Sequence, residues 1–479
     1  MTAAALVVVL LGLWWWQGPS RSGPRRRPLR QQRPPRRLLL RAPQRGRVVL
    51  GRRGPFLVAA EAGHSVAVLG PTQSGKTSGL CLPAILDWRG PVLAASVKDD
   101  LLRGSGPWRS SCGPVAVIDP SGSTGWPVAS WSPVDAAATY AGARRCARDL
   151  CEATRHGPLG ADGDFWLQAA ARHLAPLLHA AALGGGGLAV VERWVATDDL
   201  EAPLERLDAA GCIPGVLALE AARGRDLRQA SSITTTVEVV LEALAEAEQP
   251  GADTVDLRAL FEASGTLYLC SPAHDQRRYR GLLTAVRGAA LSVAMELAQS
   301  RGGRLDPPLL VVQDEAAQLA AQEDLDVLAA TGVGLGITLV TAFQDLAQLE
   351  SRHGPKAGTV LGNHRARLFL AGVADPATLT LLERLGGEEL VPHHQRSIGG
   401  SGATTTESTM LRPRLRREVL ARLGPHDALL CYGAALPSVL RLRSVHQDSL
   451  LQRKTALMAD RPRAQRWKWR GLHETPGPS

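Results

Sequence analysis

The sequence predicts an α/β protein in which a mostly parallel sheet is covered by helices. After its arginine-rich N-terminal part, the chain contains eight apolar runs of strand length. These runs are continuous rather than alternating, which is typical of parallel strands buried on both faces. Segments with helical spacing separate most of them. The predicted strands span residues 65–69, 91–96, 115–118, 266–269, 309–312, 337–341, 367–371 and 428–431.

Helical spacing replaces the strand pattern between residues 132 and 260. Apolar side chains recur there at intervals of three and four, first along residues 166–181 and again along residues 227–244. This spacing is that of amphipathic helices, so we expect an all-α insertion at residues 133–260. Residues 397–408, which are rich in Gly, Ser and Thr, predict a loop.

Composition sets limits on the class of protein. Of the 479 residues, 45% are hydrophobic and 21% are charged, which excludes a disordered chain. Only 4% are aromatic, so the core must be aliphatic. The seven cysteines include no CxxC pair, and their odd number favours a reducing compartment. Cys146, Cys151 and His156 would scatter around a helix, so we expect core thiols there rather than a metal site.

The net charge of +10 comes from the two ends of the chain. Residues 21–53 contain 13 arginines, and no acidic residue precedes Glu61. The apolar residues 3–16 come before this arginine run. They fall short of the roughly 20 residues that cross a bilayer, yet three tryptophans and the bases after them fit a membrane interface with a cytoplasmic flank. We predict a membrane anchor and a cytoplasmic body; a disordered arm or a misassigned start codon is the alternative.

A phosphate-binding loop follows the first predicted strand. The segment from Gly70 to Thr77 has the pattern GxxxxGK[ST] and is followed by helix-compatible residues. Backbone N–H groups of such a loop surround phosphate oxygens, while its lysine reaches the β and γ phosphates and its threonine ligates Mg²⁺. We therefore expect ATP and Mg²⁺ as cofactors. The predicted contacts are Gly70, Pro71, Thr72, Gln73, Ser74, Gly75, Lys76 and Thr77.

Two further strand ends carry candidate catalytic side chains. The strand at 309–312 leads to Asp314 and Glu315, which is the pattern of a Walker B motif. Asp314 would hold Mg²⁺ and Glu315 would polarise the attacking water, a division of roles that needs adjacent carboxylates at a strand tip. Gln344 ends the next strand and would sense the γ-phosphate. A helix cap is the alternative role for each of these side chains.

Over residues 60–445 the sequence resembles the type IV secretion coupling proteins, the TraG/TraD-like conjugative DNA-transfer ATPases of the FtsK-HerA group. Beyond the loop, several motifs carry the resemblance. They are SVKDDL (96–101), VIDPSG (117–122), DFWLQAA (164–170), GTLYLCSPAHD (265–275), VVQDEAAQL (311–319), GITLVTAFQDLAQLESRHG (336–354) and Asn363.

This resemblance implies a RecA-like motor with an inserted all-α domain, a membrane-anchoring N-terminus and a ring that is usually hexameric. It also implies that ATP hydrolysis moves single-stranded DNA, with its relaxase, towards a secretion channel. Relatives often carry an arginine where this chain has residues 331–336, around Val333. A finger acting between subunits would then come from Arg277, Arg278, Arg365 or Arg367.

The predicted organisation combines these elements. Its parts are an apolar anchor (1–20), a basic linker (21–53), the first motor part (54–132), the insertion (133–260), the second motor part (261–446) and a basic tail (447–479). Three arginine clusters are candidates for phosphate contact: Arg223, Arg225 and Arg228; Arg277, Arg278 and Arg280; and Arg412, Arg414, Arg416 and Arg417. The leading hypothesis is a membrane-associated DNA-translocating ATPase. A soluble motor or helicase, and a nucleotide-binding docking scaffold without turnover, are the alternatives.

Overall fold

The computed structural model describes residues 32–153, 161–245, 252–272, 276–314, 325–399, 402–415 and 423–456. All eight predicted strands are present in it, with ends that differ by a residue or two from the predicted ones. The strands are β1 (Leu39–Leu40), β2 (Val49–Arg53), β3 (Phe56–Ala59), β4 (Val66–Leu69), β5 (Val92–Ser96), β6 (Val115–Ile118), β7 (Ala129–Ser130), β8 (Asp253–Thr254), β9 (Thr266–Cys270), β10 (Leu309–Gln313), β11 (Ile337–Phe343), β12 (Ala366–Leu370), β13 (Glu388–Gly399), β14 (Gly402–Pro413), β15 (Asp427–Tyr432) and β16 (Ser438–Arg441).

Twelve of these strands form one sheet with the order β1-β3-β2-β16-β15-β12-β4-β11-β10-β5-β9-β6. Every pairing from β12 to β6 is parallel, which confirms the mostly parallel sheet. The other end, from β15 to β1, is antiparallel. Since parallel strands end at the same edge, the residues after β4, β10 and β11 lie next to one another.

Helices cover both faces of the sheet. They are α1 (Leu82–Asp87), α2 (Asp100–Ser110), α3 (Tyr140–Ala153), α4 (Ala161–Leu183), α5 (Leu188–Ala196), α6 (Glu201–Ala209), α7 (Ile213–Arg223), α8 (Leu227–Ala245), α9 (Leu257–Glu262), α10 (Gln276–Ser300), α11 (Leu325–Leu335), α12 (Leu346–His353), α13 (Ala357–Asn363), α14 (Pro376–Gly386) and α15 (Ser449–Ala456).

Side chains alternate between two cores along each central strand. In β4, Ala67 and Leu69 belong to the core that includes the helical insertion, whereas Val66 and Val68 belong to the core that includes α1 and α2. Helices α3 to α8 follow one another within the predicted insertion, and α4 contacts α3, α5, α6, α7 and α8. The insertion therefore packs as a helical layer on one face of the sheet.

The basic linker predicted at residues 21–53 includes residues that belong to the folded sheet. Its last part supplies β1 and β2, and Leu38, Val49 and Leu50 are buried. The arginines nearby bind folded parts of the chain: Arg47 donates to the carbonyl of Ala60 (2.8 Å) and Arg53 to that of Val439 (3.1 Å). An arginine-rich segment therefore contains two strands that its composition does not indicate. Some of its arginines donate hydrogen bonds to backbone carbonyls instead of facing only solvent.

Two further predicted irregular segments contain regular structure. Residues 397–399 belong to β13 and residues 402–408 to β14; the two strands pair antiparallel, with Ser397 opposite Thr404 in the register. The segment contains three consecutive threonines, and threonine is favoured in strands, so a loop was the wrong prediction from its composition. The basic tail predicted from residue 447 begins with α15, whose Leu451 is fully buried.

One helix among the described residues, α10, is long and apolar enough to cross a membrane. Of its apolar window, 56% is buried inside the protein. It packs against α3, α8 and α9 and is therefore part of the core. The predicted anchor at residues 3–16 lies outside the described residues.

The cysteines behave largely as predicted. Five of the seven are buried thiols (Cys81, Cys146, Cys151, Cys270 and Cys431) and none is in a disulfide. Burial raises the pKa of each of these five thiols. The part of the chain that the structure describes holds no cluster of metal-binding side chains; His156 lies outside it.

Candidate nucleotide site

The loop from Gly70 to Lys76 joins β4 to the helix that ends as α1. Gln73 and Gly75 have positive φ angles of 64° and 94°, so the backbone reverses its turn twice within a few residues. Such alternation points successive N–H groups to one side and makes an anion-binding concavity. A side chain at Gly70 would come within 2.6 Å of the Ser74 hydroxyl oxygen, so this position requires glycine.

Lys76 is the last residue of the loop, and its side chain folds back across the first two loop residues. Its Nζ donates hydrogen bonds to the carbonyl oxygens of Gly70 (2.5 Å) and Pro71 (2.8 Å), and only 7% of the residue is exposed. The ammonium group is therefore held at the mouth of the anion-binding concavity. Phosphate oxygens placed there would be within reach of the same group.

Thr77 and Asp314 are in direct contact across the site. The Thr77 hydroxyl donates to Asp314 Oδ2 at 2.5 Å, and the carboxyl group is buried. These residues are 237 positions apart in sequence and come together because β10 ends beside the loop. Hydroxyl and carboxylate oxygens are ligands that Mg²⁺ prefers, so the pair fits the predicted metal site. Glu315 lies outside the described residues.

Gln344 lies between these two elements. It follows β11, which pairs with β4 on one side (Phe343 opposite Leu69) and with β10 on the other (Thr341 opposite Gln313). The N–H of Gly70 donates to the Phe343 carbonyl at 3.2 Å, which fastens the start of the loop to the end of β11. The sheet order thus brings the predicted Lys76, Thr77, Asp314 and Gln344 to one edge.

A buried hydroxyl group supports the fit of a phosphate to this loop. The Ser74 Oγ is buried and has no hydrogen-bond partner among the described residues. Unsatisfied buried polar atoms are uncommon in folded proteins and often mark a site that a ligand completes. The residues present therefore fit a nucleoside triphosphate with Mg²⁺, which when bound neutralises charge on the phosphates.

Several C-terminal residues, which no sequence pattern indicates, pack on the first turn of the nucleotide helix. This turn, Thr77–Cys81, is a π-helical turn in which the N–H of Leu82 donates to the Thr77 carbonyl. The next donor in that pattern would be residue 83, which is proline and has no N–H. The Ser78 carbonyl instead accepts from the N–H of Val445 at 3.0 Å. Leu442 covers Gly79 on the same side.

The far end of the same helix is also held by the C-terminal segment. Asp87, the last residue of α1, accepts from Arg443 (2.5 Å) and from Lys454 (2.6 Å). Arg443 also donates to Asp448 (2.9 Å), which accepts from Arg52 of β2 (2.7 Å). Burial alone would raise the pKa of Asp448, but the hydrogen bonds from Arg443 and Arg52 hold it at about 2. We call Leu442, Arg443 and Val445 the C-terminal clamp.

The predicted arginine clusters have different surroundings. Arg223 is paired with Glu201, whereas Arg225 lines a cavity in the insertion. Arg278 is exposed at the start of α10 and stacks on Tyr279, with 5.4 Å from its guanidinium carbon to the ring centre. Arg414 follows β14. Arg416 and Arg417 lie outside the described residues, as does the side chain of Arg277.

The candidate finger residues Arg365 and Arg367 lie far from the loop within one subunit. They flank Ala366 at the start of β12, whereas the loop follows the end of the neighbouring parallel strand β4. Arg365 is exposed and Arg367 is half-buried. These two arginines are therefore at the opposite edge of the sheet from their own nucleotide site.

Two family models match separate parts of the chain. A family model described as "Type IV secretory system Conjugative DNA transfer" matches residues 35–196, and one described as "TraM recognition site of TraD and TraG" matches residues 308–425. Together they cover more than half of the chain. No curated protein matches the sequence.

Solved structures of one bacterial conjugative coupling protein, TrwB, share the fold. The unbound form of TrwBdeltaN70 has 18% sequence identity and a TM-score of 0.62, with 80% of this chain and 85% of that chain covered. The TrwB complexes with ADP and Mg²⁺ and with the ATP analogue ADPNP each have 17% identity and a TM-score of 0.60, and cover 80% of this chain and 86% of that chain.

Fold and loop together define a P-loop nucleotide-binding protein with a RecA-like core, as expected from the sequence. The two family matches place the chain more narrowly: it belongs to the coupling proteins of conjugative type IV secretion systems.

Proposed function

We propose that this protein is an ATPase that transfers DNA, with an attached relaxase, into a conjugative type IV secretion channel. The observation that carries the proposal is the meeting of Lys76, Thr77, Asp314 and Gln344 at one edge of the sheet. Three strands bring these side chains around a loop whose backbone fits phosphate. The family matches supply the DNA-transfer part of the proposal.

Each side chain has a separate role in the proposed hydrolysis. When ATP binds, the ammonium group of Lys76 leaves the carbonyls of the loop and donates to phosphate oxygens. Its positive charge thereby attracts the negatively charged phosphates. Thr77 and Asp314 would hold Mg²⁺, which would neutralise charge on the phosphates. Glu315 accepts the proton of the attacking water, and Gln344 senses whether the γ-phosphate is present. The backbone of residues 70–75 surrounds the phosphates.

A ring of subunits, expected to be hexameric, would complete the site. Arg365 and Arg367 lie at the edge opposite the loop, so an arginine from either position serves only a neighbouring subunit. A finger must reach the neighbouring subunit, so the exposed Arg278 and Arg365 are better candidates for it than the half-buried Arg367. Mixing a finger-deficient subunit with a Lys76→Ala subunit should restore some hydrolysis at the one interface with an intact loop and an intact finger. If no candidate arginine allows rescue, the shared-site proposal fails.

Membrane attachment is proposed to come from residues 1–20, with the body at the cytoplasmic face. Because β1 starts at Leu39, a truncation that tests this must stop before the fold begins. Deleting residues 1–31 should release the protein into the soluble fraction while ATP binding persists. Full-length protein that is soluble at physiological salt would favour the soluble motor instead. Relaxase and channel proteins are the proposed partners.

ATP hydrolysis and its response to DNA test the central proposal. Purified protein should hydrolyse ATP faster when single-stranded DNA is added, and DNA binding should weaken steeply with salt because phosphate neutralisation releases counterions. Lys76→Ala should weaken ATP binding. Glu315→Gln should keep ATP bound and unhydrolysed, since its carboxylate acts only as the phosphoryl group leaves.

Glu350→Gln is a matched control, because Glu350 is an exposed glutamate on α12 with no role in the proposed hydrolysis. It should hydrolyse ATP at the parent rate. Equal rates for Glu315→Gln and the parent protein would overturn the assignment of the general base. An assembled parent protein that binds ATP without turnover would indicate the docking scaffold.

A further inference from the structure

A cavity of about 650 Å³ lies between α3, α4 and α7 of the helical insertion. Its floor is mostly apolar and is made by Leu167, Ala171, Ala175, Ala218 and Ala221. Four arginines stand around it: Arg144 and Arg148 on α3, Arg172 on α4 and Arg225 in the connection after α7. We call these four residues the arginine pocket.

The charge of the arginine pocket is not balanced within the described residues. None of its four arginines forms an ion pair there, and Glu152 is the one acidic residue in the described lining. Burial and the positive charge of Arg172 lower the pKa of Arg225.

Neighbouring arginines of the same helices are neutralised, in contrast. Arg145 pairs with Glu296 and Arg223 pairs with Glu201. The surplus positive charge is thus confined to the side chains that face the cavity, which is the arrangement that attracts an anion.

Phosphate groups along a flexible strand suit this arrangement. Arginine presents a planar fork that binds phosphate oxygens in pairs. Arg144 and Arg148 are one helical turn apart, about 6 Å along the axis, which is similar to the separation of neighbouring phosphates in an extended strand. The apolar floor can accept a sugar or a base.

Phe165 offers an aromatic surface beside the pocket, on the same helix α4. It lies one helical turn before Gln168, which lines the pocket, and 52% of the surface of Phe165 is exposed. Aromatic faces beside arginines are the usual means of binding single strands.

We propose that the arginine pocket binds a segment of single-stranded nucleic acid through its phosphates. This inference rests on the proposed function and adds a contact outside the motor sheet. The pocket lies on the face of the sheet opposite α1, so it holds the strand without taking part in hydrolysis.

The test is the binding of a fluorescent oligothymidylate to the full chain, measured by anisotropy over a range of salt concentrations. The double variant Arg148→Gln/Arg172→Gln should bind about tenfold more weakly. Its plot of log affinity against log salt should be shallower by about 1.4, because two phosphate contacts are lost at about 0.7 each for a single strand. Arg193→Gln, which changes an exposed arginine of α5 outside the cavity, should match the parent protein.

The outcomes separate this inference from the proposed function. If the parent binds the oligonucleotide and the double variant binds it with the same affinity and salt slope, the arginine pocket is not the site, although DNA transfer stands. A parent that binds no oligonucleotide overturns both. Polyglutamate at equal charge concentration is the competitor. If it displaces the oligonucleotide from the parent but not from the double variant, the occupant is an acidic peptide and the inference is overturned. Unchanged ATP affinity in the double variant confirms that the fold is intact.

Discussion

Arg443 donates a hydrogen bond of 2.5 Å to Asp87, and so joins the C-terminal segment to the last residue of the nucleotide helix. Both side chains are buried, at 2% and 7% exposure. Since Val445 and Leu442 hold the first turn of the same helix, the C-terminal clamp contacts it at both ends. The clamp residues are therefore positioning residues for the proposed ATP site.

Replacing Arg443 should weaken ATP binding as well as stability. In Arg443→Met, Asp87 and Asp448 stay buried without their shared partner, a change that typically costs about 3 kcal/mol or more in the free energy of unfolding. The nucleotide helix also loses its anchor, so we expect KM for ATP to rise while kcat changes less. Steady-state kinetics and urea unfolding measure the two effects.

Leu260→Ala is the stability control. Leu260 is fully buried on α9 and belongs to the core on the face of the sheet opposite α1, so its loss should cost about 2–5 kcal/mol without touching the nucleotide helix. This variant should lose stability but keep the parent KM. Equal KM changes in both variants would show that the clamp acts through stability alone.

Adding a methyl group under Leu442 should disturb the clamp locally. A Cβ at Gly79 would lie 3.0 Å from the nearest carbon of Leu442, whereas one at Gly358 of α13 would meet nothing within 4 Å. Gly358→Ala should stabilise the protein by up to about 1 kcal/mol through helix propensity. Gly79→Ala should show no such gain and should weaken ATP binding.

A double-mutant cycle isolates this contact. Leu442→Ala removes the side chain that the new methyl group would meet, so Gly79→Ala should cost less in that background. The coupling is measured from the unfolding free energies of the four proteins. Additive effects would contradict a direct contact between the two positions.

Removing the hydroxyl group of Thr77 should raise the Mg²⁺ requirement. Thr77→Val keeps the shape of the side chain but leaves Asp314 without the 2.5 Å hydrogen bond and removes a proposed ligand. Losses of about tenfold or more in metal affinity are usual for such changes. ATP hydrolysis titrated with Mg²⁺ gives the value. Thr380→Val, which removes an exposed hydroxyl of α14, should leave the titration unchanged.

His364 should make the fold less stable in mild acid. It is fully buried, it contacts Thr341 of β11 (3.1 Å) and the carbonyl of Val360 (2.7 Å), and burial lowers its pKa to about 4. An unfolded histidine binds a proton near pH 6.5, so the unfolded chain gains protons before the folded one does. The stability that the buried, neutral His364 contributes is therefore fully present above about pH 6.5, and it is lost as the pH falls towards 4.

Thermal unfolding followed between pH 7 and 4 measures this loss. His364→Gln should be less stable at neutral pH but should show a smaller decline over the same range. A decline as steep as that of the parent would assign the effect to other groups. His173, which burial also gives a pKa of about 4, is the first of these.

The parts of the site that the sequence predicted are those encoded locally. Residues 70–77 contain the loop, its glycines and its lysine in one stretch, and the strand ends that carry Asp314 and Gln344 are marked by continuous apolar runs. The clamp has no such pattern, because Leu442 and Arg443 are more than 350 residues from the helix they hold. The strands between Leu39 and Arg53 were missed for a related reason: their arginines bind carbonyls and acids of distant segments, and composition alone cannot distinguish these from solvated arginines.

The pairing of Arg52 with Asp448 has a mechanical consequence. Arg52 belongs to β2, the second strand that the chain adds to the sheet, and Asp448 shares Arg443 with Asp87. A pull on the N-terminal end is therefore borne by three consecutive ion pairs, Arg52–Asp448, Asp448–Arg443 and Arg443–Asp87, the last of which is on the nucleotide helix. If that end is tethered, tension from a moving load would reach the ATP site through this path, and the rate of each cycle would depend on force.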